Sequence, residues 1–244
     1  MSTAVLRTEA RLFAREPGAL FWILAFPPLL LALVGAVPAF REPQDGLGGL
    51  RLIDTYVAVT VLLGVIVAGV QAFPAGLTAY REQGVLRRMS TTPVRPAALL
   101  TSHMLVHGLA GLLAALLPLL LGRLLYDVAL PGQPLGYLLA LLLAVLAALA
   151  LGGVIAAVAP NVRIANAIGT AAQFLMMFCA GVWVPVQVMP DLLADLVGCT
   201  PFGAAAEALG QAARGEWPNW FPLLVLTIWT VVLSSAAVRW FRWE

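Results

Sequence analysis

The chain has 244 residues, 61% hydrophobic and 11% charged, with a formal net charge of +2 and a mean hydropathy of +0.95. A soluble domain carries about 25% charged residues. Here the apolar residues come in long blocks, which excludes disorder, disfavours a soluble core and points to a polytopic helical membrane protein. A transmembrane barrel would alternate apolar and polar residues at every second position, and this chain does not.

In chain order, residues 2–16 place Arg7, Arg11 and Arg15 on one helical face, with Val5, Leu12 and Phe13 away from it. The pattern predicts a short amphipathic helix on the membrane surface; the simpler alternative is a charged flank that sets orientation. Uncharged spans are expected at Leu20–Phe40, Tyr56–Tyr80, Ala97–Gly122, Leu135–Ala159, Ile164–Met189 and Trp217–Val238. Each is long enough to cross about 30 Å of hydrocarbon. Pro27 and Pro28 should kink the first span near its entry. Gly64 and Gly69 in the second span, and Gly152, Gly153 and Ala156 in the fourth, offer close helix approach. The stretch 191–213 differs: two short apolar pieces flank Cys199–Thr200–Pro201, and Asp195 and Glu207 would be costly at the bilayer centre. It reads as a re-entrant helix pair that enters and returns without crossing. The expected fold class is therefore an all-α integral membrane protein in one transmembrane domain (1–244), with six transmembrane helices, an N-terminal interface helix and a re-entrant pair before the last span.

All basic residues are arginine, so neither a Walker A lysine nor a Schiff-base lysine exists in this chain. With six spans both termini share a side. That side holds ten of the fourteen arginines and four of the twelve acidic residues, which predicts cytoplasmic termini and a cytoplasmic loop at 81–96. Cys179 and Cys199 read as small apolar residues rather than a disulfide, and no cleavable signal peptide is expected. His103 and His107 share a helical face, but no third ligand is adjacent; hydrogen bonding near the cytoplasmic interface is the expectation, not a metal site. Gln71, Asn166 and Gln173 lie inside spans, either along a substrate path or in helix–helix hydrogen bonds. Met176, Met177, Phe178 and Trp183 fit a greasy path or, more simply, packing. No nucleophile–histidine–acid set, paired carboxylates or Gly-rich nucleotide loop marks an enzyme, and arginines on a membrane surface do not argue for nucleic acid.

The loop Tyr80–Pro96, YREQGVLRRMSTTPVRP, and the segment 181–209, GVWVPVQVMPDLLADLVGCTPFGAAAEAL, together carry a resemblance. Both are similar in residues and span position to the type-2 permeases of ABC transporters, of the daunorubicin-export kind, from the amphipathic start to the sixth span. The resemblance implies that Arg81, Glu82, Gly84, Arg87, Arg88 and Pro93 form a coupling segment for a separate ATPase subunit. An acidic residue is common in the family where Arg87 stands. It also implies that Gly181, Pro185, Pro190 and Pro201 frame the re-entrant helices. The implied protein is the membrane subunit of an ATP-driven exporter of an amphiphile (drug, lipid or lipid-linked glycan) in the plasma membrane. It would have a second permease chain as partner, no cofactor of its own, and ATP and magnesium on the ATPase. From the residues alone, the loop arginines fit orientation and anionic lipid binding as well. A proton- or ion-coupled secondary transporter and a non-transporting scaffold are the competing functions; the spans lack the Asp, Glu or Arg that the former needs.

Overall fold

The computed structural model describes residues 3–43, 49, 51–85, 88, 96–184 and 186–240. Arg87, Pro93 and Pro185 lie outside them. An amphipathic helix α1 (Thr3–Phe13) leads into α2 (Pro17–Gly35), α3 (Leu52–Glu82), α4 (Pro96–Tyr126), α5 (Pro134–Val158) and α6 (Val162–Cys179). The bent pair α7 (Asp191–Gly198) and α8 (Pro201–Ala213) follows, and then α9 (Trp220–Trp240). Among the described residues, six helices are long and apolar enough to cross a membrane: α2 to α6 and α9. No β-strand occurs among the described residues.

The central element is α3, the most buried span. Small residues let its neighbours approach. A Cβ on Gly69 would sit 2.5 Å from Ala148 Cβ of α5, and one on Gly152 would collide with the Gly69 carbonyl. A Cβ on Gly64 would lie 2.6 Å from Ala114 Cβ of α4. Helix contact in lipid lacks a hydrophobic driving force, so close packing of this kind carries the association. Two π-helical turns bend the bundle, Phe21–Ala25 in α2 and Val67–Ala72 in α3. Each precedes a proline (Pro27 and Pro74), where a missing N–H breaks the hydrogen-bond ladder.

The fifth span is shorter than its hydropathy suggests: α6 ends at Cys179, not Met189. Gly181, at φ +80°, takes the left-handed conformation that terminates a helix, and the N–H groups of Gly181 and Val182 close on the carbonyls of Phe178 and Met177. The third span runs past its expected Gly122 to Tyr126. The second keeps its helix through Arg81 and Glu82, which the sequence placed in the loop.

α7 and α8 meet at a 96° bend. Thr200 caps α8, accepting from Gly203 N at 3.1 Å, with Pro201 in its first turn. Only glycine fits at 203, where a Cβ would strike the Val197 carbonyl. Trp229 Nε1 of α9 donates to the Cys199 carbonyl at 2.9 Å and fixes the corner. The C-terminus of α8 is tied to the α4–α5 loop: Gly132 N donates to Ala213 O at 3.2 Å and Gln133 N to Ala212 O at 3.0 Å. The pair thus starts where α6 emerges and finishes on that same face, so it is re-entrant and does not add a crossing.

Candidate functional site

The polar chemistry of the bundle gathers where α1 meets the ends of α3, α4, α5 and α6. The arginines of α1 are exposed, whereas Glu9 is buried, only 4% exposed. Glu9 falls in the middle of the apolar stripe Val5, Leu12 and Phe13, at helical spacing. A carboxylate on such a stripe needs partners, and it has two. The Tyr80 hydroxyl donates to its oxygens at 2.9 and 3.0 Å, and His103 Nδ1 lies 2.9 Å from Oε2. His103 Nε2 faces the Phe73 carbonyl at 3.2 Å, and His107 Nδ1 the His103 carbonyl at 3.0 Å. Gly76 makes room: a Cβ there would come within 2.8 Å of the His103 ring. Phe13 packs edge-on against His107 at 5.2 Å, completing the seat of α1. The two histidines are therefore hydrogen-bonded inside the bundle. Among the described residues no group of three His, Cys, Asp or Glu is arranged to hold a metal.

The next two residues of α3 grip the opposite side. Arg81 donates to the carbonyls of Ala156, at 3.1 Å, and Ala159, at the C-terminus of α5. Glu82 Oε1 accepts from Val162 N at 3.0 Å, the first residue of α6. Asn161 caps the same helix, accepting from Ile164 N at 2.9 Å. A cation thus sits on the negative end of one helix dipole and an anion on the positive end of the next. Three consecutive residues, Tyr80, Arg81 and Glu82, bind α1, α5 and α6 in turn.

Gly84, at φ +66° with open space around it, ends α3 in the left-handed conformation. Beyond it, Arg88 is exposed and its guanidinium donates to the Gln83 carbonyl at 3.0 Å. The coupling residues expected from the sequence therefore divide: Arg81 and Glu82 face their own chain, and Arg88 faces outward.

Of the span polar residues, Gln71 Oε1 accepts from Thr170 Oγ1 at 3.4 Å, and Gln173 contacts Met177 Sδ at 3.7 Å. Asn166 is exposed on α6. With Thr170, which the sequence reading overlooked, Asn166 and Gln173 form a polar stripe at i, i+4 and i+7. On the opposite face Gly181 lines a cleft beneath the bent pair. Pro190 and Pro201 begin α7 and α8. Arg51, at the start of α3, binds Asp54 through two hydrogen bonds of 2.9 and 2.7 Å, which push its pKa above the ordinary value.

A family model described as "ABC-2 type transporter" matches residues 2–212, from α1 through the re-entrant pair. The chain belongs to the ABC-2 type transporter family. Among curated proteins it is similar to "Putative transport permease YvfS" of Bacillus subtilis (strain 168), at 25% identity over 164 residues. The match covers 65% of this chain and 66% of the relative, just under two thirds of its length. In this ABC-2 chain the two family-like segments occupy opposite faces, the clamp at Tyr80–Glu82 on one and the re-entrant pair on the other.

Proposed function

We propose that this permease is the membrane subunit of an ATP-driven exporter that moves an amphiphile (a drug, a lipid or a lipid-linked glycan) out of the cytoplasm or inner leaflet. ATP and magnesium sit on a separate ATP-binding cassette subunit, and this chain holds no cofactor. In this reading both termini and the clamp lie in the cytoplasm and the re-entrant pair outside, in the plasma membrane; the excess of arginine on the side of the termini supports that orientation. The carrying observation is the clamp. A movement delivered to the segment after Gly84 reaches the end of α3, and Tyr80, Arg81 and Glu82 pass it to α1, α5 and α6 together. In this reading Arg88, with Arg87 and Pro93, meets the ATPase, while Arg81 and Glu82 transmit.

A second copy of the chain completes the path. The stripe Asn166, Thr170, Gln173 is carried on a span that is mostly exposed. An unpaired amide facing hydrocarbon costs several kcal/mol, about 4–8 on an alkane scale. A homodimer that closes over α6 would cover the stripe and give a polar-tipped substrate its route.

The test is reconstitution with the partner ATPase, followed by ATP-dependent movement of a fluorescent amphiphile across the vesicle membrane. One observation favours a second reading: Glu9 and His103 form the buried ionisable pair that a proton-coupled transporter would need. Transport driven by an imposed proton gradient without ATP would establish that reading and remove the first.

A further inference from the structure

Beside the clamp, α5 and α9 come to an end together. The two helices pack side by side, and a Cβ on Gly153 of α5 would lie 3.2 Å from Ala237 Cβ of α9. Further on they part. α5 stops at Val158 and the chain turns through Pro160 into α6, while α9 continues to Arg239 and Trp240. Between them lies an open cleft of about 610 Å³, whose lining includes Arg81, Val158, Pro160, Arg239 and Trp240. Its volume falls within the range of about 300–1,000 Å³ typical of small-ligand sites. Because two spans end there, the cleft sits at the level of the lipid headgroups. Trp240, exposed at its edge, is a residue type enriched at that level.

The charged residues lining the cleft are Arg81 and Arg239, with no carboxylate among the described lining residues. Arg81 is half-buried and fixed in place by the carbonyls of Ala156 and Ala159, which take two of the five N–H groups of a guanidinium. Arg239 is exposed and has no hydrogen-bond or ion-pair partner among the described residues. Next along the chain, Glu82 and Arg163 stand at the start of α6 with opposite signs, and Glu82 is committed to Val162 N at 3.0 Å. The C-terminal ends of α5 and α9 each present about half a negative charge. Two guanidiniums against that total leave the cleft with roughly one net positive charge. A phosphodiester is the complement: its single negative charge is shared by two oxygens that match the guanidinium fork.

We propose that this cleft binds the phosphodiester of an anionic phospholipid. Arg239 and the remaining N–H groups of Arg81 donate to its oxygens, and its acyl chains lie along α9, whose surface is largely exposed. A cationic headgroup would meet two guanidiniums, and a zwitterionic one would bring its own ammonium against them. Through Tyr80, Arg81 and Glu82 the clamp reaches α1, α5 and α6. A phosphodiester shared by Arg81 and Arg239 adds α9. The lipid is then a structural tie at the clamp, and its binding does not depend on what the chain transports.

The experiment titrates the purified chain in dodecyl maltoside with phosphatidylglycerol or phosphatidylcholine and counts bound lipid by native mass spectrometry. Phosphatidylglycerol should saturate a site on each chain with a preference of about tenfold over phosphatidylcholine, as the loss of one charge-assisted contact implies. Arg239→Gln should remove that preference, and Arg239→Lys, which keeps the charge and loses the fork, should weaken phosphatidylglycerol by about threefold. Arg7→Gln, which deletes the same charge from the exposed face of α1, should leave binding unchanged. Val158→Trp fills the cleft without altering a charge; it should abolish the preference and decides the matter if Arg239→Gln does not fold. Inorganic phosphate in excess, the alternative source of the same chemistry, should not displace the lipid. Equal binding of the two lipids, equal losses in Arg239→Gln and Arg7→Gln, wild-type binding by Val158→Trp, or displacement by inorganic phosphate overturns the proposal.

Discussion

The two ends of the bundle are built on opposite principles. At the α1 end the carboxylates and the guanidinium of the clamp find partners in other elements: Glu9 with Tyr80 and His103, Arg81 with the end of α5, Glu82 with the start of α6; the buried Ser102 hydroxyl there has no hydrogen-bond partner among the described residues. At the re-entrant end the chain leaves a cleft where, among the described residues, Asp195 and Glu207 have no cationic partner and the Tyr137 hydroxyl has no hydrogen-bond partner. A clamp of helix caps holds elements in fixed register, so it suits force transmission. An open, incompletely satisfied cleft suits a visitor. The same α3 runs between them, with Tyr80–Glu82 at one end and Arg51 and Asp54 at the other.

The contrast predicts a gradient of mutational cost. The largest effect belongs to Glu9→Ala or His103→Ala. Either strands a buried ionisable partner, at about 3–5 kcal/mol, and should lower the unfolding temperature in detergent well below that of every outer-face variant. Glu82→Ala removes a cap from α6 and should cost about 0.5–2 kcal/mol; Glu82→Gln, which keeps an acceptor, should cost less by the same thermal assay. Gly84→Ala forces a Cβ into the left-handed region for about 1–2 kcal/mol and should shorten α3 by its last turn, visible as faster amide exchange at Gln83 and Gly84. Trp229→Phe loses the bond to Cys199 and about 0.5–1.5 kcal/mol. Glu207→Gln should change stability by less than about 0.5 kcal/mol, because the new side chain can still accept from Gln211. If the outer-face variants prove as costly as the inner ones, the contrast is wrong.

Much of this was legible in the sequence because lipid imposes it. Uncharged runs, glycines at helix contacts and the Thr200–Pro201 break each have one dominant structural meaning, and the spans and the bent pair follow from them. The end of α6 was not legible, because Val182–Met189 is as apolar as a span and only the backbone at Gly181 shows the stop. Glu9 carried a signal that was passed over, an acid inside an apolar stripe. Arg81 and Glu82 stood out through the family resemblance as residues of a coupling loop, but they lie at the end of α3 and their partners are backbone carbonyls and an amide. Every residue has those atoms, so no pattern in the sequence can name Ala156, Ala159 or Val162. The cleft was hidden for a related reason: along α8 it is bordered by the small residues Ala206 and Gly210, whereas Gly203 gives its space to the Val197 carbonyl.

The measurement that bears most directly on the account compares Glu82→Ala with Arg88→Ala, reading ATPase association and ATP-driven transport separately in reconstituted vesicles. If the end of α3 is the transmission element, Glu82→Ala keeps the ATPase bound and loses most transport, while Arg88→Ala weakens association itself. Unchanged transport in Glu82→Ala with association intact would contradict it.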